Sequence, residues 1–248
     1  MKILFEKPAV LLGKTLVVAD LHIGIEEKMF SQGIRIGSIT QKMKEDLILL
    51  IKETGAKRLI VLGDAKDRII GTESVVREFF GDISRHAKVT VVKGNHDGGL
   101  EQVECIEVAG AGGIRLKHKG VSYGLFHGHA WPSDELLGCD YLICGHQHPR
   151  IMVHDAFGNA QAVHAWIEMP IVGAKAKKRY GKANGKAKLL VMPPFNHAIG
   201  GQVINRQEGS LMGPLFASGM FKLSSAHIYT LSGISLGAFS GILEKRLA

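Results

Sequence analysis

The chain has 248 residues, 46% of them apolar, and its 31 lysines and arginines outnumber 23 aspartates and glutamates to give a formal net charge of +8. That length lies near the upper size of one compact core, so a single domain over residues 1–248 is expected, with no linker interrupting it. Three cysteines, Cys105, Cys139 and Cys144, are odd in number and lack metal-ligand spacing, which argues against a disulfide framework and predicts reduced thiols in the cytoplasm, Cys144 in the core.

The opening Met1-Lys-Ile-Leu-Phe-Glu-Lys-Pro is charged too early for the apolar region of a secretory signal. The longest weakly polar stretch, Leu231 to Leu243, is shorter than the ~20 residues a membrane span needs. A soluble protein without a membrane partner is expected.

Along the chain, Thr15–Ala19, Leu59–Leu62, Val89–Val92, Tyr123–Phe126 and Tyr141–Cys144 are nearly continuous apolar runs, which suit strands buried on both faces. Between them, Ser38 to Thr54 places Ile39, Met43, Leu47, Leu50 and Ile51 on one stripe with Gly55 as a stop, an amphipathic helix. Thr72 to His86 repeats this with Val75, Val76, Phe79, Phe80 and Ile83, and Thr72 is the expected N-cap. Alternating strand and helix over residues 14–95 predicts right-handed β-α-β crossovers and a parallel core. After His148, Ala160–Met169, Lys188–Met192 and Ala226–Leu231 read as strands of a second sheet. The stretch Lys175 to Lys188 reads as a flexible basic loop. The tail from Gly209 to Gly241, with Met212, Phe216, Met220 and Phe221, is expected in the core. No internal repeat is evident.

Most of the buried runs end in a polar fragment: Asp20-Leu-His22, Gly63-Asp64, Gly94-Asn95-His96-Asp97, His127-Gly-His129 and Gly145-His146-Gln-His148. In an α/β sheet the crevice beyond the carboxyl ends of the strands collects such residues into one site. Six of the twelve histidines fall inside these fragments. Ordinary surface or hydrogen-bonded roles are expected for the other six, His86, His118, His154, His164, His197 and His227. Carboxylate, amide and imidazole donors without thiolate form a ligand set for two adjacent ions of Mn²⁺ above all, or of Fe, Zn²⁺ or Ni²⁺. Two ions ~3.5–4 Å apart favour phosphoester hydrolysis.

The ordered set resembles the calcineurin-like metallophosphoesterase superfamily, whose motifs run Asp-x-His, Gly-Asp, Gly-Asn-His-(Asp/Glu), His and Gly-His-x-His; all five occur in that order over residues 18–148. The resemblance implies an α/β fold, a four-layer α-β-β-α sandwich of two mixed sheets, with the motifs in about 14–150 and the second sheet and C-terminal part in about 151–248. It makes Asp64 the bridging carboxylate, with Asp20, His22 and His148 completing one metal site and Asn95, His127 and His146 the other. It gives His96 the role of proton donor to the leaving oxygen, oriented by Asp97; simple hydrogen bonding within the loop is the alternative. His129 has three open readings: contact with substrate phosphate, support of a ligand, or loop packing. Asp67 and Arg68 follow the second motif without an assigned role.

Met192-Pro-Pro-Phe-Asn196, then Gly200-Gly201 and Asn205, resembles the tail of a smaller archaeal and bacterial branch related to SbcD-type nucleases and associated with DNA ligase and helicase partners. This implies DNA or RNA as substrate and DNA-repair partners as open expectations; the wider family implies a homodimer, and the length left after the second sheet is too short for the full capping domain of the SbcD-type enzymes. The cluster Lys175, Lys177, Lys178, Arg179, Tyr180 and Lys182 supplies charge for phosphate backbones and an aromatic ring for an unpaired base; a solvated loop is the plainer reading. A nuclease or end-processing enzyme is therefore expected first, a small-molecule phosphodiesterase or phosphatase second, and a non-catalytic scaffold third.

Overall fold

A computed structural model describes residues 1–35, 37–68, 74–206 and 210–243. Two mixed sheets lie face to face. The first contains β1 (Lys2–Leu4), β2 (Ala9–Leu12), β3 (Thr15–Ala19), β4 (Arg58–Leu62), β5 (Lys88–Val92) and β6 (Ile106–Ala109) in sequence order. β1 to β3 pair antiparallel and β3 to β6 pair parallel. Every residue of β3 is buried, as continuous apolar runs covered on both faces require.

The connections carry α1 (Ile25–Ser31), α2 (Ile39–Thr54) and α3 (Ser74–Ser84). Ser38 caps α2 by accepting from the Gln41 amide at 3.1 Å, and Gly55 ends it in the left-handed region at φ 60°, the geometry that favours glycine at a helix end. The stripes buried against the sheet are Met43, Leu47, Leu50 and Ile51 from α2, and Val76, Phe79, Phe80 and Ile83 from α3. Thr72, the expected cap of α3, lies outside the described residues. Lys44 joins the two helices, with Nζ 2.7 Å from Asp82 and 3.2 Å from Glu78.

The second sheet runs β14 (Ser235–Ala238), β13 (His227–Thr230), β11 (Ala160–Pro170), β12 (Lys188–Val191), β9 (Tyr141–Cys144), β8 (Val121–Phe126) and β7 (Ile114–His118), with β10 (Arg150–His154) hairpinned onto the first half of β11. Val10, Val17, Ile60, Leu62 and Val92 of the first sheet pack on Tyr123, Leu125, Ile143, Trp166 and Leu190 of the second. The outer face of the second sheet is covered by α4 (Gly173–Tyr180), α5 (Pro214–Ala217) and adjoining turns, which makes a thinner fourth layer than α2 and α3.

The three expected strands after His148 are present within two residues of their bounds. The basic stretch is not a loop throughout: Gly173–Tyr180 is helical. Alanine, lysine and arginine are strong helix formers, and Ala176, at the end of the Val172 turn, is fully buried. In the tail, Phe216, Met220 and Phe221 are core residues as expected, whereas Met212 is 49% exposed. Cys105, Cys139 and Cys144 are all free, Cys144 fully buried.

Candidate metal centre

β3, β4 and β5 deliver Asp20 and His22, Asp64, and Asn95 to Asp97 from one sheet, and β8 and β9 deliver His127, His146 and His148 from the other. The polar fragments therefore meet at one end of the sandwich. Among the described residues, seven non-glycine residues have positive φ, and five of them are Asp20 (55°), His22 (43°), Asp64 (45°), His146 (67°) and His148 (40°). Such backbone is sparsely populated and concentrates where side chains are held for function.

Two glycines permit the carboxylates to enter. A Cβ on Gly94 would stand 2.2 Å from Asp64 Oδ1 and 2.3 Å from the Asp64 amide nitrogen, and one on Gly145 would stand 2.5 Å from Asp20 Oδ2. Those contacts are shorter than van der Waals packing allows, so each glycine is required by the residue it faces.

Three clusters of donor atoms close enough to hold an ion occur among the described residues, one of them His22, Asp67 and His96, and the expected donors fall into the other two. Oxygen or nitrogen atoms of Asp20, His22 and His148 lie within 4.8 Å of one another, and so do those of Asp64, His127 and His146. His22 Nε2 stands 3.7 Å from Asp64 Oδ2, His148 Nε2 3.4 Å from Asp20 Oδ1, and His127 Nε2 3.4 Å from Asp64 Oδ1. Asn95 Oδ1 lies 3.3 Å from His127 Nε2. Asp64 thus touches members of both groups, the position a shared carboxylate needs.

Asp20, Asp64, His22 and His127 are buried. Burial opposes ionisation of Asp64, but the His127 ring, the His96 amide at 3.0 Å and His22 together hold it well below the usual carboxylate range. Burial likewise opposes protonation of His127, yet Asp64 and Asp20 raise it to about 9. Burial and the neighbouring His127 lower His146 to about 4, and burial lowers His129. A negative field strong enough to hold a proton at the centre of this cluster is also the field that attracts a cation.

The residues fit metal ions. His22 Nε2 and His148 Nε2 are buried without a hydrogen-bond partner among the described residues, which is rare for polar atoms. Donors ~2.1 Å from one ion stand roughly 3.0–3.5 Å apart, near the spacing found. His127 Nδ1 lies 2.8 Å from the Leu62 carbonyl and His22 Nδ1 3.3 Å from Asp67 Oδ1. Such contacts fix the tautomer and leave Nε2 as the ligating atom, the usual support of a metal-bound imidazole.

Asp67 was without a role in the sequence reading, and the structure supplies two. Its carboxylate faces His22, and its carbonyl lies 2.5 Å from His96 Nδ1. Asp97, expected to orient His96, is fully buried and accepts from the Ala65 amide at 2.9 Å and the Gly94 amide at 2.8 Å, which ties the Asp64 and Asn95 loops together. Arg68 pairs with Glu27 at 3.5 Å, and its carbonyl accepts from the buried Lys66 Nζ. The His129 ring lies 5.1 Å from that of His127.

Two further residues read from the tail are structural pins. Asn196 Nδ2 donates to the Leu21 carbonyl at 2.8 Å, and Asn205 donates to the Met152 and Ile242 carbonyls at 3.0 Å each while accepting from the Met152 amide at 2.8 Å. Lys175, Lys177, Lys178, Arg179 and Tyr180 lie on α4 and Lys182 just beyond it, outside the donor cluster. Tyr180 is half-buried, with its hydroxyl 3.3 Å from the Pro132 carbonyl, so its ring is partly covered. Gln147, between two ligands, exchanges hydrogen bonds with Met212 at 2.9 and 2.6 Å.

The family model of the calcineurin-like phosphoesterases matches residues 13–150, the span carrying all five fragments. No curated protein matches the chain. Among solved structures, the nuclease MPE of Pseudomonas putida is similar over 90% of this chain and 88% of its own, at 19% identity and a TM-score of 0.54, a likeness of fold. YfcE, a phosphoesterase from E. coli, is similar over 57% of this chain and 74% of its own, at 19% identity and a TM-score of 0.38.

Proposed function

The chain belongs to the calcineurin-like phosphoesterase family, and from that premise we propose that it hydrolyses phosphodiester bonds of DNA or RNA with two divalent metal ions, Mn²⁺ first among them. Membership of that family supports a hydrolase of phosphoester bonds. The observation that supports two ions is the position of Asp64, which faces His22 on one side and His127 on the other.

Asp20, His22, Asp64 and His148 would hold one ion, and Asp64, Asn95, His127 and His146 the other. Ions so held neutralise phosphoryl charge and lower the pKa of water. The chain's own residues do the rest. His96 has Nδ1 tied to the Asp67 carbonyl, so Nε2 is the nitrogen left to pass a proton to the leaving oxygen. His96 is half-buried and Asn95 exposed, which opens the donor cluster to solvent on the side where a polymer would enter. Asp97 keeps the Asp64 and Asn95 loops in register. His129, held close to His127, supplies a second imidazole toward substrate phosphate.

The net charge of +8 and the cations of α4 support nucleic acid over a small diester, because counterion release draws phosphate backbones to such surfaces. A panel of single-stranded DNA, duplex DNA, RNA, cyclic dinucleotide and bis-aryl phosphate with Mn²⁺ tests the reading. Cleavage of nucleic acid should weaken with salt and when Lys177, Lys178 and Arg179 are neutralised together, and Asp64→Ala should abolish it. If those neutralisations leave turnover untouched while a nucleotide is hydrolysed faster, a small-molecule phosphodiesterase replaces this reading; full activity of Asp64→Ala would refute the shared carboxylate.

A further inference from the structure

The loop that carries His127 and His129 continues to Trp131, and there it meets α4. The Arg179 guanidinium lies over the Trp131 ring, 3.7 Å from its centroid, and 5.7 Å from that of Tyr180. The Tyr180 ring meets Trp131 edge-on at 6.2 Å, and the Tyr180 hydroxyl lies 3.3 Å from the Pro132 carbonyl. Ala176 and Tyr180 form the inward side of α4, and Arg179 is exposed. The guanidinium thus lies against the Trp131 ring at an exposed position beside Tyr180. Trp131 lies four positions after His127, so their Cα atoms are at most ~14 Å apart.

From this the geometry points to a stacking step for an unpaired nucleobase on the Arg179 guanidinium, backed by Trp131, which selects single-stranded nucleic acid and sets its path from α4 to the donor cluster. The step rests on the proposed action on nucleic acid and narrows it. Guanidinium planes stack on bases as aromatic rings do, and a base in a duplex has no free face to offer. Charge alone does not define this place, because Asp134 and Glu135, both exposed, follow Trp131 on the same loop. A lysine at position 179 would keep the cation and lose the plane.

The test is binding of fluorescein-labelled dT15 and of a 15-base-pair duplex, by anisotropy in EDTA across a salt series, with Arg179→Lys and Lys178→Gln compared with the unaltered protein. Arg179 is exposed, so neither change threatens folding, and matching melting temperatures check this. Removing a stacked base contact weakens single-strand binding by at least about fivefold. Arg179→Lys should show that loss for dT15 with the salt slope unchanged, and little loss for the duplex. Lys178→Gln should instead flatten the slope by about 0.7. Equal dT15 affinity of Arg179→Lys and the unaltered protein, or equal losses for dT15 and duplex, would overturn the stacking step. If the unaltered protein binds dT15 and cleaves it with Mn²⁺, that failure is confined to the step; if it binds and cleaves no nucleic acid, the proposed function fails with it.

Discussion

Replacing Gly94 by alanine should separate the packing of the donor cluster from its chemistry, because Gly94 offers no ligand atom. The added methyl group would stand 2.2 Å from Asp64 Oδ1 and 2.3 Å from the Asp64 backbone nitrogen. The second contact is with main chain, which cannot swing away as a flexible side chain would. The Gly94 amide is also fixed, donating to Asp97 at 2.8 Å, so either the Asp64 turn moves or that hydrogen bond is lost. Overpacking of this kind costs about 1–3 kcal/mol. For a protein of this size each kcal/mol lowers the melting temperature by roughly 2–4 °C, so a fall of about 2–12 °C is expected without metal. Displacing Asp64 removes its contact with both donor groups, and disturbing the support of a ligand lowers metal affinity about 10–100-fold. Calorimetric titration with Mn²⁺ and a melting curve of the metal-free protein measure the two effects. A variant that melts and binds Mn²⁺ like its parent would refute the close approach of Gly94 to Asp64.

Other outcomes follow from single contacts. Asp67→Ala, which frees His22 Nδ1, should weaken metal binding about 10–100-fold, whereas Asp67→Asn retains an oxygen for the same contact and should lose much less; isothermal titration distinguishes them. Asn205→Ala leaves the part-buried Met152 amide and the Met152 and Ile242 carbonyls without this partner and should cost about 1–3 kcal/mol in urea denaturation, with the donor cluster intact. His164, lowered to about 4 by burial and by the nearby Arg150, is protonated more readily in the unfolded chain. Its contribution to stability is therefore complete above about pH 6.5 and declines as pH falls toward 4; chemical denaturation of His164→Gln over that window should show a shallower decline, and an unchanged one would refute the assignment.

The convergence of the polar fragments was legible because most of them follow an apolar run, and the strand ends that hold them obey one topological rule. The motif order fixed which strand carries which donor. What the linear order could not reveal was contact between backbone and side chain. Asp97 sits beside His96 in the chain, yet its carboxylate points to the amides of Ala65 and Gly94, and the His96 ring turns instead to the carbonyl of Asp67, twenty-nine residues earlier. Short edge strands such as β1 and β6 have too few residues to show a period. The basic stretch misled by its composition: a run of lysines broken by Gly181 and Gly185 suggested a loop, while the eight residues from Gly173 form a helix because Ala176 and Tyr180 find apolar cover.

The left-handed turns at Asp20, His22, Asp64, His146 and His148 bear on the sturdiness of this scaffold. A side chain in that conformation carries a penalty of roughly 1–2 kcal/mol that glycine escapes, so exchanging any of these five residues for glycine eases the main chain. The main chain around the cluster is thus kept under tension by the residues it carries, and glycine at any of the five would leave a sturdier body with one side chain fewer in the cluster.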